Sequence, residues 1–145
     1  MKGIVCRAYG FVLLLGGAAS LGSCAQRHSL SREELRSDLT SAISAASETE
    51  LSIDFVLRGK TTQDFAAGHF RYLERNLRDT IKQVAGSTPE PGLEEKATRS
   101  RAQMDALESM LTAIASDTKD PDALMAAKQR VHAIRIALAQ EKPGQ

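Results

Sequence analysis

Apolar residues recur along most of the chain with the spacing of one face of an α-helix. Four such rows, built from steps of three, four or seven residues, run from Leu35 to Val56, from Ala66 to Val84, from Leu93 to Ile114 and from Leu124 to Leu138. Each row predicts a helix with a single apolar stripe, and a helix cannot bury such a stripe by itself. The four helices must therefore pack against one another.

Helix start and stop signals separate the four rows. Ser31 and Glu34 match a capping box, Gly59 suits the end of the first helix, and the segment 87–92 contains two prolines. Pro121 follows an aspartate and suits the first position of the last helix. These signals predict helices at about 31–58, 62–85, 90–116 and 121–141.

The connections between the predicted helices are short, which makes sequential neighbours antiparallel. The sequence therefore predicts an all-α fold, an up-down-up-down four-helix bundle over residues 31–142. Composition agrees, because tryptophan is absent and alanine, leucine, glutamate, lysine and arginine are common. A three-helix or paired-hairpin arrangement is the alternative.

The first two dozen residues have a different character. Lys2 and Arg7 are followed by an uncharged stretch with an apolar centre at 11–15 and small residues at 16–20. This order is typical of a secretory signal peptide, and the apolar centre is shorter than the roughly 20 residues of a membrane span. The segment closes with Leu-Gly-Ser-Cys at 21–24, which resembles the lipobox of bacterial lipoproteins.

The resemblance implies that residues 1–23 are removed and that Cys24 carries a lipid anchor, with 24–30 as a lipidated tether. We therefore expect a protein of the cell envelope, bound to a membrane through Cys24 and facing the periplasm or the exterior. The resemblance to lipoproteins of double-membraned bacteria further implies the outer membrane, because Ala25, the residue after the cysteine, is not an aspartate. Cleavage after Ala25 by the ordinary signal peptidase, or an uncleaved anchor, are the alternatives.

The remaining chain offers no internal disulfide and no strong charge. Cys24 would be its only cysteine, so the domain must fold by core packing. Loss of Lys2 and Arg7 changes the formal net charge from +1 to −1. A domain so close to neutral is not expected to bind nucleic acid.

The sequence contains no pattern typical of an enzyme or a metal site. The histidines His28, His69 and His132 show no spacing that would place two ligands on one helical face. Glycine-rich phosphate loops and serine nucleophile motifs are also missing. We therefore predict no catalytic residues, no metal and no cofactor.

One candidate partner patch surrounds the turn between the first and second helices. It comprises Phe55, Phe65, Phe70 and Tyr72, with His69 at its edge, and includes every aromatic residue after position 24. Phe70 also belongs to the predicted core row of the second helix. The cluster is either the best-packed end of the bundle or an exposed surface for a partner or a second copy.

A candidate basic row lies on the second helix. Steps of four, three and four residues align Arg71, Arg75, Arg78 and Lys82 on one face, opposite the apolar row. Such a row would suit acidic lipid headgroups, an anionic envelope polymer or an acidic protein. Alternatively it is a solvated helix face, diluted by nearby acidic residues.

These features support three hypotheses of function. The first is a lipid-anchored interaction or structural module that has no catalytic activity and binds an envelope protein or itself. The second is a carrier of a small ligand, lipid or cofactor, with a pocket lined by Phe70, Met104 and Leu107. The third is an immunity or inhibitor lipoprotein, which needs only a fold and a surface.

Overall fold

A computed structural model describes residues 28–143, which form four helices packed against one another. The order is β1 (Ser29–Leu30), α1 (Arg32–Leu57), α2 (Gln63–Gly86), β2 (Thr88–Pro89), α3 (Glu94–Ser116) and α4 (Pro121–Glu141). The predicted all-α four-helix bundle is confirmed. The predicted signal segment 1–23 and the predicted lipidation site Cys24 lie outside the described residues.

Polar contacts between helices show that α2, α3 and α4 run antiparallel to their sequential neighbours. On α2 and α3, Arg78 contacts Glu108 at 2.6 Å, and Glu74, one turn earlier on α2, contacts Thr112, one turn later on α3, at 3.2 Å. On α3 and α4, Arg99 near one helix start contacts Glu141 at the other helix end at 2.8 Å. The ring closes because α4 also packs extensively against α1. One end of the bundle therefore holds the start of α1 and the end of α4, and the opposite end holds the α1–α2 turn.

The helix starts follow from the predicted caps. Ser31 accepts a hydrogen bond from the Glu34 backbone N–H, and the Glu34 carboxylate accepts one from the Ser31 N–H at 2.8 Å, completing the capping box. The Glu34 carboxylate accepts hydrogen bonds from the Ser31 N–H, the Ser31 hydroxyl and the His28 ring, and these lower the pKa of Glu34 to about 2. Asp120 likewise caps α4 by accepting from two backbone N–H groups of its first turn.

The third helix begins at Glu94 rather than at about 90. The segment before α3 does not extend that helix. It contains β2, which forms a short parallel pair with β1. The Thr88 N–H donates to the His28 carbonyl at 2.8 Å and the Glu90 N–H donates to the Leu30 carbonyl at 3.1 Å. Gly92 then reverses the chain with a φ of 88°, a backbone conformation that favours glycine.

The core fills the space between the four helices and extends to the β1–β2 end. Leu30 is completely buried there, so the last residue of the predicted tether is part of the fold. Phe70, Met104 and Leu107, the proposed lining of a carrier pocket, are also completely buried in this core. They fill the interior of the bundle with apolar side chains.

Candidate functional site

The candidate patch is built around the turn that joins α1 to α2. The Lys60 N–H donates to the Phe55 carbonyl at 2.8 Å, and the Gly59 N–H donates to the Val56 carbonyl at 2.9 Å. This is a Schellman motif, with Gly59 at a φ of 62° in the left-handed conformation that it requires. Thr62 then caps α2 by accepting from the Phe65 N–H. The short turn therefore places Phe55 and Phe65 side by side.

The structure divides the predicted aromatic cluster into an exposed part and a buried part. Phe55 is 41% exposed, Phe65 69% and Tyr72 52%. Phe70 is completely buried and packs in the core, so it is corrected from the patch to the core. The physical reason is its position on α2, where it shares the inward row with Ala66 and Leu73.

His69 lies between the exposed aromatics and connects the two helices loosely. Its ring stacks on Tyr72, with a centroid distance of 6.3 Å and an interplanar angle of 22°. Its Nε2 lies 3.9 Å from a carboxylate oxygen of Glu48 on α1. At that distance the contact is a weak electrostatic one rather than a hydrogen bond.

These side chains line a groove between α1 and α2. At the turn it is a mainly apolar depression of about 230 Å³, lined by Leu51, Phe55, Phe65 and His69 with Glu48 and Ser52. Towards the start of α1 and the end of α2, the groove continues as a more polar depression of about 480 Å³. We call the whole surface the α1–α2 groove; its upper part is lined by Thr40, Ser41, Ser44, Ala45, Glu48, Tyr72, Leu73, Asn76 and Thr80.

Leu51 and the small side chains of the upper groove were not in the predicted patch. Leu51 is 53% exposed, although it lies within an apolar run of α1. The sequence does indicate that Leu51 belongs with Phe55. The two residues are four positions apart, and both lie outside the apolar row of the helix.

Short ion pairs join the other three pairs of neighbouring helices. Between α1 and α4, Lys128 contacts Asp54 and Arg135 contacts Glu50, both at 2.7 Å. The Arg78–Glu108 pair joins α2 to α3, and the Arg99–Glu141 pair joins α3 to α4. Depressions of about 310 Å³ between α3 and α4 and about 270 Å³ between α1 and α4 remain on the surface beside these contacts. Within residues 28–143, the α1–α2 groove has only the long His69–Glu48 contact.

The candidate basic row is exposed on the outer face of α2, but its charges are not equally free. Arg78 binds both Glu74 and Glu108, and these contacts raise its pKa. Lys82 lies 3.5 Å from Asp79. Of the four residues of the row, Arg71 and Arg75 take part in no ion pair within the described part of the chain. The row therefore presents two uncommitted positive charges rather than four.

The described residues contain no group of three metal-binding side chains. His28 contacts Glu34 at 2.6 Å, and His132 contacts Glu50 at 3.2 Å on the α1–α4 side. His69 belongs to α2 and contacts the side of α1 that faces away from α4. The three histidines are thus dispersed over different parts of the bundle surface.

Between residues 28 and 143, no helix has both the length and the apolar character needed to cross a membrane. The fold and the surface together define a four-helix bundle of the all-α class with an aromatic-lined groove between α1 and α2. Comparison with protein-family models, with curated proteins and with solved structures finds no match for the chain.

Proposed function

We propose that the protein is a non-enzymatic, lipid-anchored interaction module of the cell envelope that binds a protein through the α1–α2 groove. The observation that carries the proposal is the exposure of Phe55 and Phe65 beside Leu51 in the one interhelical groove that lacks a short ion pair in the described chain. Grouped exposed apolar side chains with a polar rim are typical of interaction sites.

The geometry of the bundle supports the orientation that such a module needs. The chain enters the described fold at His28, beside β2 and at the end of the bundle opposite the α1–α2 turn. The 26 residues of α1 separate the two ends by about 39 Å. With a lipid on Cys24, the aromatic part of the groove would point away from the membrane and towards other envelope proteins.

The anchor is tested separately from the groove. We expect the full-length protein to incorporate labelled fatty acid and to fractionate with membranes, and Cys24→Ser to abolish both. Mass spectrometry of the mature N-terminus gives the processing site. Recovery of an unmodified N-terminus at another residue would contradict the anchor.

The groove is tested in the native envelope by site-specific photo-crosslinking. A photoreactive side chain at position 65 is expected to give a discrete protein adduct, whereas one at position 136 is not. Ile136 on α4 is a matched control because it is also exposed and apolar, at 44%. Equal adducts from both positions, or none from position 65, would contradict the proposal.

A further inference from the structure

We propose that the occupant of the α1–α2 groove is a second copy of this chain, paired in parallel about a two-fold axis that runs along the groove. This inference rests on the proposed function, because the common membrane anchor sets the relative height of the two copies. In such a pair α1 of one copy faces α2 of the other, and each contact occurs twice. The area, the register and the charges of the groove each support this occupant.

The apolar area of the groove suits a standard interface. An aromatic side chain covers about 200 Å², so the exposed fractions of Phe55, Phe65 and Tyr72 correspond to about 300 Å². Leu51 adds further area. A standard interface buries about 800 Å² per partner, of which a little over half is apolar. These four side chains would thus supply most of the apolar share from each copy.

The attachment of the chain to the bundle supports a parallel register. Four residue steps lead from Cys24 to His28, and they span at most about 14 Å. From His28 onward the chain is held by two β1–β2 hydrogen bonds and by the buried side chain of Leu30. Two copies anchored in one leaflet would therefore hold their aromatic ends at similar heights, and confinement to a surface raises their effective concentration.

The charges around the groove suit self-pairing. In the parallel arrangement Glu48 of one copy faces His69 of the second copy, since these residues already share a level in one bundle. The adjoining turn carries both signs, with Arg58, Lys60 and Asp64 in no ion pair within residues 28–143. A rim of a single sign would repel its own copy, whereas a mixed rim can form pairs across a two-fold axis.

The test uses two differently tagged full-length copies expressed together in the native membrane. Capture of one tag is expected to recover the other copy. Phe65→Glu in both copies is expected to reduce this recovery by about tenfold or more, because it places a charge in the centre of the interface. Tyr72→Glu is a second disrupting variant, and Ile136→Glu is the matched control, with a change of less than about twofold.

Circular dichroism of each variant checks that the fold is retained, as expected for side chains that are about half exposed or more. Recovery that is unaffected by both Phe65→Glu and Tyr72→Glu overturns the pairing. Absence of the second copy, together with a photo-adduct from position 65 to a different protein, overturns the pairing and leaves the proposed function standing. Absence of lipid on Cys24 removes the common anchor and overturns the parallel register.

Discussion

The two sides of α1 make different kinds of contact with the neighbouring helices. On the side facing α4, Glu50 and Asp54 bind basic residues of that helix at 2.7 Å. On the side facing α2, Leu51 and Phe55 stay about half exposed, and the contacts between the two helices are less extensive. Glu50 and Asp54 are four residues apart. Leu51 and Phe55 have the same spacing and lie one residue later in the chain.

Because the two pairs are offset by one residue, α1 can bind α4 on one side and expose apolar side chains on another. A shift of one residue rotates a side chain by about 100° around the helix axis. The charged pair can therefore fix α1 against α4 while the apolar pair points outward in a defined position. Side chains held on a rigid helix lose little further freedom when a partner binds.

The largest expected effect is on the free energy of unfolding, and it distinguishes the buried Phe70 of α2 from the exposed Phe65. We expect Phe70→Ala to lower the free energy of unfolding by about 3–5 kcal/mol, because it leaves a cavity in the core. Phe65→Ala, five residues earlier, should change it by less than about 0.5 kcal/mol. Urea denaturation followed by circular dichroism measures both values. A large loss for Phe65→Ala would mean that the groove is part of the core.

The helices could be predicted from sequence because local signals define them. The Ser31–Glu34 capping box, Gly59 and Pro121 mark boundaries that the structure reproduces within one or two residues. The start of α3 lies about four residues later than the sequence pattern predicts, because Thr88 and Pro89 pair with residues almost 60 positions away. No local pattern predicts a two-residue pairing of that kind.

The candidate site could be predicted only in part. The sequence identified the aromatic cluster, but exposure depends on how far the neighbouring helix covers each side chain. Helical position separates Phe70, on the inward row, from Phe65 and Tyr72, which lie to one side of it. The contrast with the α1–α4 side depends on ion pairs such as Glu50 with Arg135, which joins residues 85 positions apart and so requires the assembled bundle.

A smaller effect distinguishes the ionic contacts on the two sides of α1. A double-mutant cycle with Glu50→Ala and Arg135→Ala should give a coupling energy of about 1 kcal/mol, since the pair is short and partly buried. The same cycle with Glu48→Ala and His69→Ala should give a coupling near zero. The free energy of unfolding of each variant gives these values. Equal couplings would contradict the contrast between the ionic contacts of the α4-facing side and those of the α2-facing side.

The smallest expected effect concerns a carboxylate on the α2-facing side of α1. Asp38 lies seven residues before the groove residue Ala45 and so on the same side of the helix. Its buried Oδ2 has no hydrogen-bond partner among the described residues. Burial raises the pKa of Asp38 above the ordinary value of 3.8, and the nearby carboxylate of Glu34 adds to the effect. The charged form of Asp38 therefore opposes folding.

Asp38→Asn should consequently increase the melting temperature slightly at pH 7, where the wild-type side chain is charged. The gain should shrink as the pH falls through the raised pKa and vanish below about 3.8, where Asp38 is protonated in both folded and unfolded chains. Asp54→Asn on the α4-facing side should instead lower the melting temperature at pH 7, since Lys128 loses its charged partner. Melting curves from pH 3 to 7 test the opposite signs, and a loss of stability in both variants would show that Asp38 is also paired.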